Sequence, residues 1–206
     1  MIFPFQNVLH NMGVFFLVYL IGIIPSGYLF CRYCLGKDVT EHGSGNIGAT
    51  NVARVFGYRY FIPILLCDAG KAYSALWLVQ WLIGMNEMLL FYSGMFLLVG
   101  NSFSPLLNFG GGRGVATSLG ICAFVLPWQY VLLFMGLWLV VLAITKKPFV
   151  ASISSMTVLW GIRLYAGTKV ETQMLTFMLV WLVLQHYKHI VSWWRRSDQK
   201  QPQQDV

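Results

Sequence analysis

VATSLGICAFVLPWQYVLLFMGLWLVVLAI, residues 115–144, decides how this chain is to be read. One helix needs roughly 20 apolar residues to cross about 30 Å of hydrocarbon. Residues 115–144 are therefore long for one crossing and short for two. Pro127-Trp128-Gln129 punctuates the run. Proline removes a backbone donor and clashes with the preceding turn, so the spacing predicts a break there. The two halves would measure about 18 and 22 Å at 1.5 Å per residue, short or tilted as spans.

Five further apolar runs flank this one: Met12–Cys31, Tyr60–Ile83, Met88–Leu107, Phe149–Ala166, and Met174–Leu184 with its flanks. The whole chain has 206 residues, 57% apolar and 10% charged. Soluble domains carry roughly 25% charged residues, so a soluble globule could not be covered from this stock. Abundant aromatics exclude disorder, and glycine without a period excludes collagen. The stretch before Met12 lacks the basic segment of a cleavable signal, so the first run is expected to stay as a helix.

Charge placement sets the count of spans, because basic residues favour the cytoplasmic side of short loops. With the break, seven spans place Arg32, Lys37, Arg54, Arg59, Arg113, Lys146, Lys147, Lys188, Arg195, Arg196 and Lys200 inside, eleven of the 14 basic residues. Arg163 and Lys169 fall outside, and Lys71 lies within the membrane. Without the break, Lys146, Lys147 and the basic C-terminus would face outward and nearly equalise the two sides. The expected architecture is an all-α integral membrane protein with seven transmembrane helices, N-terminus outside and C-terminus cytoplasmic. Residues 1–206 form one polytopic domain, with about 195–206 a polar, flexible cytoplasmic tail.

This topology puts two glycine-rich segments on the inner face. The first is Gly43-Ser44-Gly45-Asn46-Ile47-Gly48-Ala49-Thr50-Asn51, followed by Arg54. It holds a formal G-x-G-x-x-G, but a dinucleotide site requires a preceding strand, and here a membrane helix precedes it. Convergent backbone N–H groups at a helix start still suit an anion, and Arg54 can offer a fork to phosphate. A tight turn alone would not need Ser, Asn, Thr, Asn and Arg together. The second is Asn108-Phe109-Gly110-Gly111-Gly112-Arg113-Gly114-Val115-Ala116-Thr117, read either as a second anion loop or as flexible membrane entry. It is not a Walker loop, having no Gly-Lys-Ser/Thr.

Asp68 and Lys71 are helix neighbours within a span, where ionisable groups are paired or functional. A structural ion pair and a substrate-facing lysine both fit. His186 and His189 share a face where the last span meets the inner side, as an interfacial anchor or as chemistry. Ser152, Ser154 and Ser155 open the sixth span, where serines commonly cap. Cys31 and Cys34 lack the further ligands of a zinc site, so no metal is expected.

Ser44-Gly45-Asn46-Ile47-Gly48-Ala49-Thr50-Asn51-Val52-Ala53-Arg54 matches without a gap the S-G-N-x-G-A-T-N-x-x-R of the bacterial PlsY family, the acyl-phosphate:glycerol-3-phosphate acyltransferases. Asp68-Ala69-Gly70-Lys71 resembles that family's D-x-x-K-G, with Ala72 for the glycine. Phe109 through Thr117 resembles F-K-G-G-K-G-V-A-T. The resemblance runs over nearly the whole chain and implies a seven-span, N-out protein of the bacterial inner membrane whose site faces the cytoplasm. It implies attack of the 1-hydroxyl of sn-glycerol 3-phosphate on an acyl phosphate, giving lysophosphatidate and phosphate, the first step of phospholipid synthesis. No cofactor is implied, and the partners are the two substrates and membrane lipids, with no nucleic acid.

By the same resemblance Ser44, Gly45, Asn46, Thr50, Asn51 and Arg54 hold one phosphate, and Gly111, Gly112, Arg113 and Gly114 the other. Lys71 becomes a phosphate contact, and Ser154 and His186 join Ser44 as catalytic residues. Either His186 or substrate phosphate takes the hydroxyl proton. The chain departs from the family at Asn101 (usually His), Gly110 and Arg113 (both Lys), Ala151 (Ser), Gln185 (Arg) and His189 (Asn). These departures leave a family member with another acceptor as one alternative. A rival of another class binds or moves phosphorylated lipids without turnover; a pure binder needs neither Ser154 nor His186.

Overall fold

The structure, a computed structural model, describes residues 3–84 and 86–198. Its elements are helical: α1 (Phe3–Gly22), α2 (Ser26–Cys34), α3 (Ala49–Phe56), α4 (Phe61–Ile83), α5 (Glu87–Ser102), α6 (Val115–Val125), α7 (Trp128–Thr145), α8 (Pro148–Ala166) and α9 (Lys169–Asp198). One isolated bridge pairs Ser104 with Gly110. The expected break falls between α6 and α7. Leu126 is extended, as a residue before proline prefers, and Pro127 opens α7 at φ −53°.

A second proline makes a break that apolarity alone did not announce. The run Met12–Cys31 is not one helix: α1 stops at Gly22 and α2 restarts after Pro25. Pro105 likewise ends the third run early, with α5 closing at Ser102. α9 continues to Asp198, so residues 195–198 of the expected tail are helical, and 199–206 lie outside the described residues.

Five segments are long and apolar enough to cross a membrane: His10–Cys34, Tyr58–Ile83, Trp128–Thr145, Pro148–Ala166 and Lys169–Arg195. α5, with 16 residues, and α6, with 11, are shorter. α7 buries only Phe134, yet its open faces carry Leu132, Leu139, Val140 and Ile144, the last 76% exposed. A helix apolar on its exposed faces is suited to lipid, not water.

α4 packs on α6, α1 on α5, α7 on α8 and α8 on α9. Small residues allow the first two contacts. A Cβ at Gly120 would fall on the Ala69 carbonyl oxygen, and one at Gly100 would stand 2.6 Å from that of Tyr19. Backbones approach this closely in membranes because packing, not hydrophobic exclusion, drives helix association there. Leu76, Leu97, Ile121, Met156, Leu175 and Leu182 fill the main core. A smaller core of Cys31, Val39, Ile47, Val52 and Ile64 seats α3 and its preceding loop against α4. At the opposite end of α8, Arg163 pairs with Glu171 and lies 4.7 Å over the Tyr130 ring, tying α7, α8 and α9 together.

Candidate active site

The first glycine loop is held by its own side chains. The Asn51 carboxamide is buried, accepting from the Ser44 N–H at 2.9 Å and donating to the carbonyls of His42 (3.0 Å) and Asn46 (2.9 Å). Asn46 Oδ1 accepts from the Gly48 N–H at 2.8 Å. These bonds fold the segment into the start of α3, leaving the Ala49 and Thr50 N–H groups without intrahelical partners, as at any helix start. Thr50 and Arg54, one turn apart, share the face away from the small core.

The second loop is shaped by backbone. Asn108 and Phe109 take positive φ, the Gly112 N–H donates to the Asn101 carbonyl at 2.9 Å, and Gly114 caps α6 at φ +83°. That φ favours glycine. The first α6 bond runs from Ser118 to Gly114, so the Val115, Ala116 and Thr117 N–H groups are unpaired. Asn46 Nδ2 reaches the Gly111 carbonyl at 3.5 Å, joining the two loops.

Both loops open on one cavity of about 380 Å³, within the usual range for small-molecule sites. Its polar end is lined by Ser44, Thr50, Arg54, Arg113, His186 and His189. Neither arginine has an ion-pair or hydrogen-bond partner among the described residues. Burial, and secondarily the like charge of Arg54, push the Arg113 guanidinium below its ordinary value. An anion bound between them would relieve that repulsion. The Thr117 hydroxyl, also on the wall, is buried without a partner among the described residues.

His186 is buried, with Nδ1 2.8 Å from the Leu182 carbonyl. A carbonyl can only accept, so Nδ1 carries the proton of that bond, and Nε2 of the neutral ring keeps a free lone pair. His189 stacks on Phe149, ring centres 6.2 Å apart. The other end of the cavity is apolar. Phe61, Ile62 and Leu65 of α4 face Phe134, Met135, Trp138 and Leu139 of α7 across it. Phe61 and Trp138 stack at 5.8 Å, and the Trp138 N–H donates to Ser152 Oγ at 3.0 Å. Ile62 and Leu139 are more than half exposed, so this arm is open toward the lipid-facing side.

Of the residues expected from sequence, Ser44, Asn46, Thr50, Asn51, Arg54, Gly112, Arg113, Gly114 and His186 line the cavity. Gly45 and Gly111 shape the loops without lining it. Ser154 is not brought there. On α8 it stands two residues past Ser152, about 200° around the helix, and Ser152 is the serine on the wall. Lys71 is also absent from the wall, its ammonium bound to Asp68 (3.1 Å), Asn101 Oδ1 (3.0 Å) and the Ile24 carbonyl (2.7 Å). The Asp68–Lys71 ion pair, one of the two readings from sequence, is present, and Asp68 also stands on the wall; sequence reasoning did not place Thr117, Lys146, Lys147 or the apolar arm there. The three-residue step from Phe149 to Ser152 was the available signal for the serine on the wall.

The family model for glycerol-3-phosphate acyltransferase matches residues 12–196. A glycerol-3-phosphate acyltransferase of Rhizobium etli is 34% identical over 171 residues, covering 83% of this chain and 80% of the relative. One from Prochlorococcus marinus is 33% identical over 181 residues, covering 87% and 90%. Among solved structures, PlsY (YgiH), an integral membrane glycerol 3-phosphate acyltransferase in its glycerol 3-phosphate form, superposes with a TM-score of 0.79 at 25% identity, covering 88% of this chain and 90% of that one. Its lysophosphatidic acid form superposes at 0.77 with 24% identity. With the family model, relatives matched over most of their length and fold in agreement, this chain belongs to the glycerol-3-phosphate acyltransferase family, the integral membrane enzymes of PlsY type.

Proposed function

We propose that the protein moves a fatty acyl group from acyl phosphate to the 1-hydroxyl of sn-glycerol 3-phosphate, releasing phosphate and lysophosphatidate. The observation that carries this reading is the convergence on one cavity of two uncapped helix starts, each accompanied by an arginine without a partner. One such anion site suits any phosphate. Two on one cavity suit a reaction in which both partners carry phosphate. The apolar arm beside Trp138 suits the acyl chain.

Each of the two phosphate groups, one an ester and one an acyl anhydride, carries about −1.5 to −2 charges near neutrality. Two of them repel unless cations and oriented N–H groups stand between. Ser44, Thr50 and Arg54 face one phosphate, and Arg113 with the Gly112 and Gly114 backbone faces the other. Gly45, Asn46, Asn51 and Gly111 keep the loops in shape. With both anions held, the hydroxyl oxygen attacks the acyl carbon and the carbonyl oxygen becomes an oxyanion. The C–O bond to phosphate then breaks. The proton has two acceptors, His186 Nε2 and a substrate phosphate oxygen. Rate comes from alignment and from donors aimed at the developing charge.

In the membrane we infer seven crossings with the N-terminus outside, α5 and α6 making the short ones. Eleven of 14 basic residues then lie on one side, which supports a bacterial inner-membrane site open to the cytoplasm. The purified protein, given palmitoyl phosphate and glycerol 3-phosphate, is expected to release inorganic phosphate and form lysophosphatidate. Palmitoyl-CoA and palmitoyl-acyl carrier protein are expected to give far less product. Phosphate binding without product above a heat-killed control would support a non-enzymatic binder instead.

A further inference from the structure

Asp68 is the only acid among the described residues lining the cavity, and it is 5% exposed. A carboxylate is a poor wall for a site that takes two phosphates. Its partner is Lys71, one turn along α4, with Nζ 3.1 Å from Oδ1. Lys71 Nζ also reaches the carbonyls of Ile24 (2.7 Å) and Gly22 (3.4 Å), at the break between α1 and α2, and Asn101 Oδ1 (3.0 Å) of α5. An ammonium has three protons to donate. All three are engaged within the protein, which leaves none for a phosphate. Asn101 in turn accepts the Gly112 N–H of the second glycine loop.

We propose that Lys71 is a positioning residue that serves the phosphate site through Asp68, cancelling the carboxylate on the cavity wall rather than binding substrate. The inference rests on the phosphate-site reading above. Removing one partner of a buried pair leaves an uncompensated charge, whereas replacing both with neutral groups is commonly tolerated. Without Lys71, the Asp68 charge would act on bound phosphate through the poorly screened interior. Without both, that repulsion is gone.

The test is calorimetric titration of the full-length protein in detergent with inorganic phosphate, beside thermal melts. Lys71→Met is expected to weaken phosphate binding about tenfold. Asp68→Asn/Lys71→Met is expected to return to within about threefold of wild type, and Asp68→Asn alone to bind at least as tightly as wild type. A double variant as weak as Lys71→Met would show that phosphate needs Lys71 itself and would overturn the proposal. So would an unchanged Kd in folded Lys71→Met, the result for a pair that serves stability alone. If Lys71→Met does not fold, Asp68→Asn decides: weaker binding than wild type contradicts the proposal. Wild type that binds no phosphate contradicts both readings. Turnover of palmitoyl phosphate on the same preparations separates them. Rescue without turnover breaks only the acyl-transfer reading, and turnover without rescue breaks only the assignment of Lys71.

Discussion

The two glycine loops face one cavity and are built on opposite plans. The first, residues 43–54, carries its own scaffold: Asn51 and Asn46 fasten backbone groups no more than nine residues away. The second, residues 108–117, has no such side chain and borrows its anchor from α5 through the Asn101 carbonyl. The lesson concerns where a site's geometry is encoded. A loop whose amides face inward writes its shape into a short motif. A loop held by backbone and by a neighbouring helix depends on the packing of that helix.

That contrast can be broken at Asn51 first. Asn51→Leu removes three hydrogen bonds, each worth about 1 kcal/mol, and is expected to lower kcat/KM roughly a hundredfold while the membrane helices stay folded. Steady-state kinetics with a melting curve check it; near-normal turnover would mean that the loop is held by packing instead. A smaller effect, roughly tenfold, is expected from Arg54→Ala and from Arg113→Ala. Arg→Lys at either position should recover part of the loss, since charge remains but the fork is lost. Because Arg113 is the more enclosed of the two, its replacement should also flatten the salt dependence of KM less than that of Arg54. Equal changes in salt dependence would remove that distinction between the loops.

The same difference explains what could be read from sequence. Pro127 stood out because residues 115–144 are too long for one crossing, and the structure breaks there. Pro25 has the same chemistry but sits in a run of ordinary length, so nothing in the hydropathy pattern drew attention to it. The first loop was legible as an anion loop because Ser44, Thr50 and Arg54 accompany its glycines. Of the partners of Lys71, Asp68 was legible one turn away, but Ile24 and Asn101 were not, since they lie 47 and 30 residues away. Helical phase puts Ser152 on the wall and leaves Ser154 off it, as Phe149 and Ser152 share the cavity-facing side of α8. The apolar arm was hidden for another reason. Leu139 and Ile62 look alike in sequence whether they meet lipid, an acyl chain or both.

The central claim is that both phosphates occupy the cavity together and that the acyl group passes directly between them. Initial rates with palmitoyl phosphate and glycerol 3-phosphate both varied test it most directly. Direct transfer predicts double-reciprocal lines that intersect, the pattern of a ternary complex. Parallel lines, the mark of a covalent acyl-enzyme, would contradict it.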